Sequence, residues 1–150
     1  MYATVSQANE YVEQYYSSTN PLRVAWEGLD DADRLVLLNR AEQTIDSLPL
    51  KGRPLERDKA FPRAPFREAS LKKAAAATIE LALSSLDSET SERLSLRRQG
   101  VKSYKLGDLS ETFTDSSAET NTSHALSIVS PYLSDWLGGG YKICPTQIRK

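Results

Sequence analysis

Residues 71–86, LKKAAAATIELALSSL, constrain the fold more than any other stretch of the chain. Their helix propensity is high throughout, which predicts a helix over 68–86. Leu71, Ala75, Thr78, Ala82 and Leu86 fall on one face, Ile79 and Leu83 on another. The apolar arc is therefore wide and made of small side chains, which let neighbouring helices approach closely. Such a helix suits the centre of a small bundle. It also suits packing on two sides, inside its own domain and against another subunit.

Two further helices are expected before it. Ser6 is a candidate cap for a helix over 7–16 with Ala8, Tyr11, Val12 and Tyr15 as its buried face. SSTNP at 17–21 breaks it, and LRVAWEGL at 22–29 reads as a connector anchored by Trp26. Asp30 or Asp31 caps a second helix over 31–48, whose stripe is Leu35, Leu38, Ala41, Ile45 and Leu48. Residues 50–69 contain Gly52, Pro54, Pro62 and Pro65 and predict an ordered loop pinned by Leu55, Phe61 and Phe66, with a short helical turn near 55–59.

After the Ala-rich helix, VKSYKL and DLSETF flank Gly107 and predict a β-hairpin near 100–114. A lone two-stranded ribbon is marginal in water and should lean on the helices or a partner. Ser123 caps a short helix over 124–129, and Ser130–Pro131 reads as a fresh helix start. Leu126, Val129, Leu133, Trp136 and Leu137 face one way, and Gly138–Gly140 end the element. The expected fold class is mostly α: a small bundle of three main helices plus a C-terminal helix, with a hairpin insertion and an extended tail. The expected division is a helical domain at 1–137 and a docking tail at 138–150.

With 150 residues the chain is one domain's worth, burying ~70% of its unfolded surface. No stretch approaches the roughly eighteen apolar residues needed to span a membrane, and the N-terminus lacks the basic and apolar regions of a signal peptide. A soluble cytosolic protein with no membrane partner is expected. Cys144 is the single cysteine, so no intramolecular disulfide forms, which suits a reducing compartment.

The net charge of −1 hides an uneven distribution. Residues 1–50 carry eight acids and three bases, whereas 51–73 carry three acids and eight bases. The candidate basic patch is Arg53, Arg57, Lys59, Arg63 and Arg67, interleaved with Phe61 and Phe66. Cations beside aromatics suit a single strand, through phosphate contacts and base stacking. They equally suit the acidic first block, within or between subunits. The short block and near-neutral chain favour protein contacts.

No chemistry stands out. His124 is the only histidine, no metal-ligand spacing occurs, and there is no phosphate-binding glycine loop or nucleophile elbow. The expectation is a protein that is not an enzyme, with no catalytic, metal or cofactor residues.

Several segments together carry a family resemblance: YATVSQANEYVEQYY, Trp26, VLLNRAEQTIDSL, KGRPLERDKAFPRAP, the Ala-rich helix, VKSYKLGDLSETF and IVSPYL. In this order the chain resembles tailed-phage proteins described as DnaT-like single-stranded-DNA-binding proteins, which in turn resemble the head–tail connector, or adaptor, family. The adaptor resemblance implies a structural virion protein assembled in the host cytoplasm. It would form a homo-oligomeric ring, commonly dodecameric, between the portal and a downstream neck, stopper or tail protein. DNA would pass through its channel without specific readout. On that reading the subunit interface would use Ala75, Ile79, Leu83, Tyr104, Leu109 and Phe113. The tail would dock on the portal through Tyr141, Lys142, Ile143, Cys144, Pro145 and Ile148. The DnaT-like description implies the alternative, single-stranded DNA binding through 51–73.

Overall fold

Thr4, not Ser6, starts the first helix. Its hydroxyl accepts the Gln7 backbone N–H at 3.2 Å, and the Gln7 side chain accepts the Thr4 backbone N–H at 3.0 Å. This reciprocal capping box sets α1 at Val5–Tyr15. The structure is a computed structural model that describes residues 1–87, 103–106, 109–112 and 120–137. Ala8 and Val12 of α1 are buried and Tyr11 is half-buried, but Tyr15 is 68% exposed and does not join the expected face.

The expected connector is itself helical. Asn20 caps α2 (Pro21–Glu27), with Pro21 at its first position, where its missing N–H costs nothing. Trp26 is buried as expected, and its indole Nε1 donates to Asn9 Oδ1 at 2.9 Å. Asp30 caps α3 (Asp31–Asp46) by accepting the Asp33 N–H at 2.7 Å. Leu38, Ala41, Ile45 and Leu48 are buried along the expected stripe, and only Leu35 turns outward. Arg34 donates to the Trp26 and Glu27 carbonyls, at 3.1 Å each, and so closes the end of α2.

The Ala-rich helix is α4 (Arg67–Ser84), and it packs chiefly against α3 and α5 (Thr120–Leu133), with α1 and α2 also on it. Ala74, Ala77 and Ala82 are buried at these contacts. Thr78 is buried too, its hydroxyl donating to the Ala74 carbonyl at 2.7 Å. Ile79 and Leu83 lie in the chain's own core, at 3% and 0% exposure, so that face of α4 is used internally instead of offering a subunit interface. Ala75 is half-buried.

Where a helix break was expected at Ser130–Pro131, α5 runs through as one helix with Pro131 inside it. The carbonyl that Pro131 cannot reach belongs to Ser127, and the Ser130 hydroxyl lies 3.4 Å from it. That contact, three residues from the helix end, makes the proline tolerable. His124 is half-buried on this helix. The molecule is thus mostly helical, with five helices among the described residues.

The hairpin insertion expected near 100–114 is not supported. The structure describes there only a short antiparallel pair, β1 (Ser103–Leu106) and β2 (Leu109–Thr112), with Ser103 opposite Thr112. Tyr104 and Leu109 belong to it, but their side chains and Phe113 lie outside the described residues. So does the expected docking tail at 138–150, with Tyr141, Lys142, Ile143, Cys144, Pro145 and Ile148.

Three phenols converge on one carboxylate inside the bundle. Tyr11 and Tyr16 each donate to Glu80 at 2.7 Å, and Tyr132 donates to it at 3.2 Å. Burial, then hydrogen bonding, holds the Tyr11 and Tyr16 phenols well above the ordinary range. The cluster ties α1, α4 and α5 together, and among the described residues no buried side-chain polar atom is left without a partner.

Candidate nucleic-acid interface

The basic segment folds into a tight ribbon. Pro54 pairs with Arg63 across it, the Leu55 N–H donates to the Pro62 carbonyl at 2.8 Å, and Ala64 N–H to the Arg53 carbonyl at 3.1 Å. Gly52, at φ +90°, makes the turn into it, a conformation that side-chain-bearing residues rarely adopt. The Phe61–Pro62 and Ala64–Pro65 peptide bonds are cis. No helical turn forms near 55–59.

Two residues nail the ribbon to the bundle. Phe61 is fully buried, its ring edge-on to Tyr2 at 5.9 Å and to Trp136 at 5.4 Å. Arg63 is the second. It was expected in the basic patch, yet it is 6% exposed and bound inward. Its Nη1 donates to the Lys51 and Gly52 carbonyls at 2.6 and 2.7 Å, and its Nε to the Ala60 carbonyl at 2.8 Å. A guanidinium has five donors in a rigid fork, and here that fork gathers both arms of the ribbon. Lys51 N–H donates to the Trp136 carbonyl at 2.6 Å, joining the ribbon to the end of α5.

The ribbon also grips the N-terminal segment and α3. The Tyr2 hydroxyl accepts the Phe61 N–H and donates to Asp46, which also accepts the Ala60 N–H at 2.9 Å. Glu42 accepts Lys59 Nζ at 2.8 Å, the Tyr2 N–H at 2.9 Å and the Met1 amine at 3.2 Å. Burial alone would raise the Glu42 carboxyl, but the hydrogen bonds from Lys59, the Met1 amine and Tyr2 outweigh it and hold it below its ordinary value. Lys59 is raised in turn, chiefly by its bond to Glu42. Both shifts favour the charged pair. A depressed carboxylate contributes stability at pH above its unfolded value of 4.5, and that stability is lost as pH falls through the lower folded value. Thermal melts below pH 5 should therefore show a steeper acid loss for the wild type than for Glu42→Gln, which lacks this titration; parallel curves would contradict the linkage.

What remains faces solvent. Lys51, Arg53, Arg57 and Lys72 are exposed and, among the described residues, their side chains make no hydrogen bond or ion pair. Leu55 and Phe66 were expected to pin the loop but are 44% and 68% exposed. Arg67 pairs loosely with Glu56 at 3.3 Å, both exposed, which brings the start of α4 beside the ribbon. Of the five residues expected in the patch, then, Arg53, Arg57 and Arg67 face outward, Lys59 is held by Glu42, and Arg63 is structural. Lys51, Lys72 and Phe66 join the outward set. Among the described residues no group of three or more His, Cys, Asp or Glu could hold a metal ion, and no helix is long and apolar enough to cross a membrane.

The family model described as "Putative DnaT-like ssDNA binding protein" matches residues 1–149. The chain belongs to that family. No curated protein and no solved structure matches it. The match corrects the adaptor expectation: the family's description names single-stranded-DNA binding, and nothing in it points to a virion, a portal or a head–tail connector. The adaptor resemblance rested on the order of architectural segments, none of them a functional motif. A helical bundle of this size serves many functions, so that order identifies a relative without fixing its role.

Proposed function

We propose that this protein binds single-stranded DNA along the ribbon at 51–67 and the first turns of α4, as a binding module with no chemical step of its own. One observation carries the reading: Lys51, Arg53, Arg57 and Lys72 stand exposed and, among the described residues, without partners, on the same ribbon-to-α4 stretch that carries an exposed aromatic, Phe66. A phosphate chain is drawn to unpaired cations more than to those already matched by carboxylates. An exposed phenyl ring offers a sequence-tolerant face for a base. Family membership supports the same reading.

The surface implies a modest, salt-sensitive binder. If the four unpaired cations each meet a phosphate, log K should fall against log salt with a slope of about −3. Asp58 and Glu68, exposed in the same stretch, oppose part of this. Fluorescence anisotropy with a labelled oligo-dT tests it. Arg53→Ala with Arg57→Ala should flatten the slope by about 1.4, at roughly 0.7 per contact, with thermal stability unchanged. Phe66→Ala should weaken binding by ~1–3 kcal/mol with the slope intact. No binding at physiological salt, or equal affinity for all variants, would sink the proposal.

A further inference from the structure

The bundle is electrically two-ended along α3. This helix has 16 residues and so spans about 24 Å. The ribbon sits at its C-terminal end, held by Glu42 and Asp46. At the other end, α1, α2 and the start of α3 enclose a cleft of about 330 Å³ lined by Asn9, Val12, Glu13, Trp26, Glu27 and Arg34. Arg34 is the one cation lining it, and that side chain is already committed to Asp31 and to two backbone carbonyls. Glu13 is exposed with no partner among the described residues, and Glu27 bonds only Arg23 at 2.7 Å, with half its side chain in solvent. Asp30, Asp31 and Asp33 add acid at the same end.

Exposed apolar side chains accompany both charges. At the acidic end Val24, Leu35 and Val36 are 56%, 37% and 47% exposed; at the basic end are Leu55 and Phe66. A surface carrying charge of one sign beside exposed hydrophobics, with its complement on the far end of the same molecule, fits another copy of that molecule. The contact would be heterologous, since two different patches meet.

We propose that the chain associates head-to-tail with a second copy, the ribbon of one molecule seating Arg53, Arg57 and Leu55 against the Glu13 and Glu27 cleft of the next. Exposed ion pairs contribute little each, so the association is weak, fast and suppressed by salt. Arg53 and Arg57 serve DNA and the neighbour alike, so the two compete. The association stands without the DNA reading and is tested without nucleic acid.

Sedimentation velocity over a concentration series should show concentration-dependent association at low salt and monomer at about 0.5 M salt, where charges are screened within about 4 Å. Glu13→Lys/Glu27→Lys makes both ends basic, and Arg53→Glu/Arg57→Glu makes both acidic. Each variant alone should be monomeric at low salt, with wild-type circular dichroism. Mixed in equal amounts, the two should associate again, because the native ribbon of the first fits the native cleft of the second and the reversed cleft fits the reversed ribbon. Wild type that stays monomeric at low salt, variants that associate alone, or a mixture that does not recover association would each overturn the proposal.

Discussion

Phe61→Ala should be the most damaging single change in the ribbon, lowering stability by about 3–5 kcal/mol in urea unfolding. Phe61 has no solvent exposure, and its ring fills the space between Tyr2 and Trp136. Each edge-to-face pair adds about 0.5–1.5 kcal/mol beyond the area it buries. The hole left by the phenyl ring has little freedom to close. Tyr2 is held by its hydroxyl to Asp46 and to the Phe61 N–H, and the Trp136 carbonyl is held by the Lys51 N–H. Cavities that cannot collapse sit at the costly end of the range. For a chain of this size the loss amounts to roughly 10 °C in Tm. The ribbon would lose its apolar anchor at the same time, so DNA affinity should fall even in the folded fraction. A Tm within about 2 °C of wild type would show that the ribbon does not depend on this ring.

The periodic elements were legible because their signals are local. The α3 stripe from Leu38 to Leu48 and the Ala-rich α4 follow from side chains three and four apart, and both are where spacing places them. The Thr4–Gln7 capping box was legible too, but Ser6 was the more familiar cap. The ribbon was not legible in the same way. Leu55, Phe61 and Phe66 are three similar apolar residues in one loop, and nothing local says that only Phe61 turns inward. Its partners Tyr2 and Trp136 lie 59 and 75 positions away, and the carboxylates that hold the ribbon, Glu42 and Asp46, sit on another helix. Likewise eight cations in 51–73 look equivalent as sequence, yet tertiary contacts divide them. Lys59, Arg63, Arg67 and Lys73 are engaged by Glu42, by backbone carbonyls, by Glu56 and by Asp135, while Lys51, Arg53, Arg57 and Lys72 have no partner among the described residues. Charge density marks the candidate segment; tertiary contacts decide which of its charges are left for a partner.

Arg63 and Arg53, ten residues apart on facing arms of the ribbon, make that division measurable. Arg63→Ala should cost about 2–4 kcal/mol of stability. The carbonyls of Lys51, Gly52 and Ala60 lose a charged donor at 2.6–2.8 Å, and each buried acceptor left unmet costs about 1–3 kcal/mol, reduced here because water reaches the exposed Lys51 and Gly52. Arg63→Lys should not rescue it, since a single ammonium cannot span carbonyls on both arms as the fork does. Arg53→Ala should leave stability within about 0.5 kcal/mol, because its side chain touches no partner among the described residues. The DNA readout should split the other way. In the folded protein Arg53→Ala removes one unit of salt dependence, about 0.7 in slope, whereas Arg63→Ala leaves the slope of the folded fraction unchanged. If instead Arg63→Ala keeps its Tm and flattens the salt slope, the guanidinium turns outward in solution, and the ribbon is held without it, by Phe61, the Tyr2 hydroxyl and the contacts with Glu42, Asp46 and Trp136.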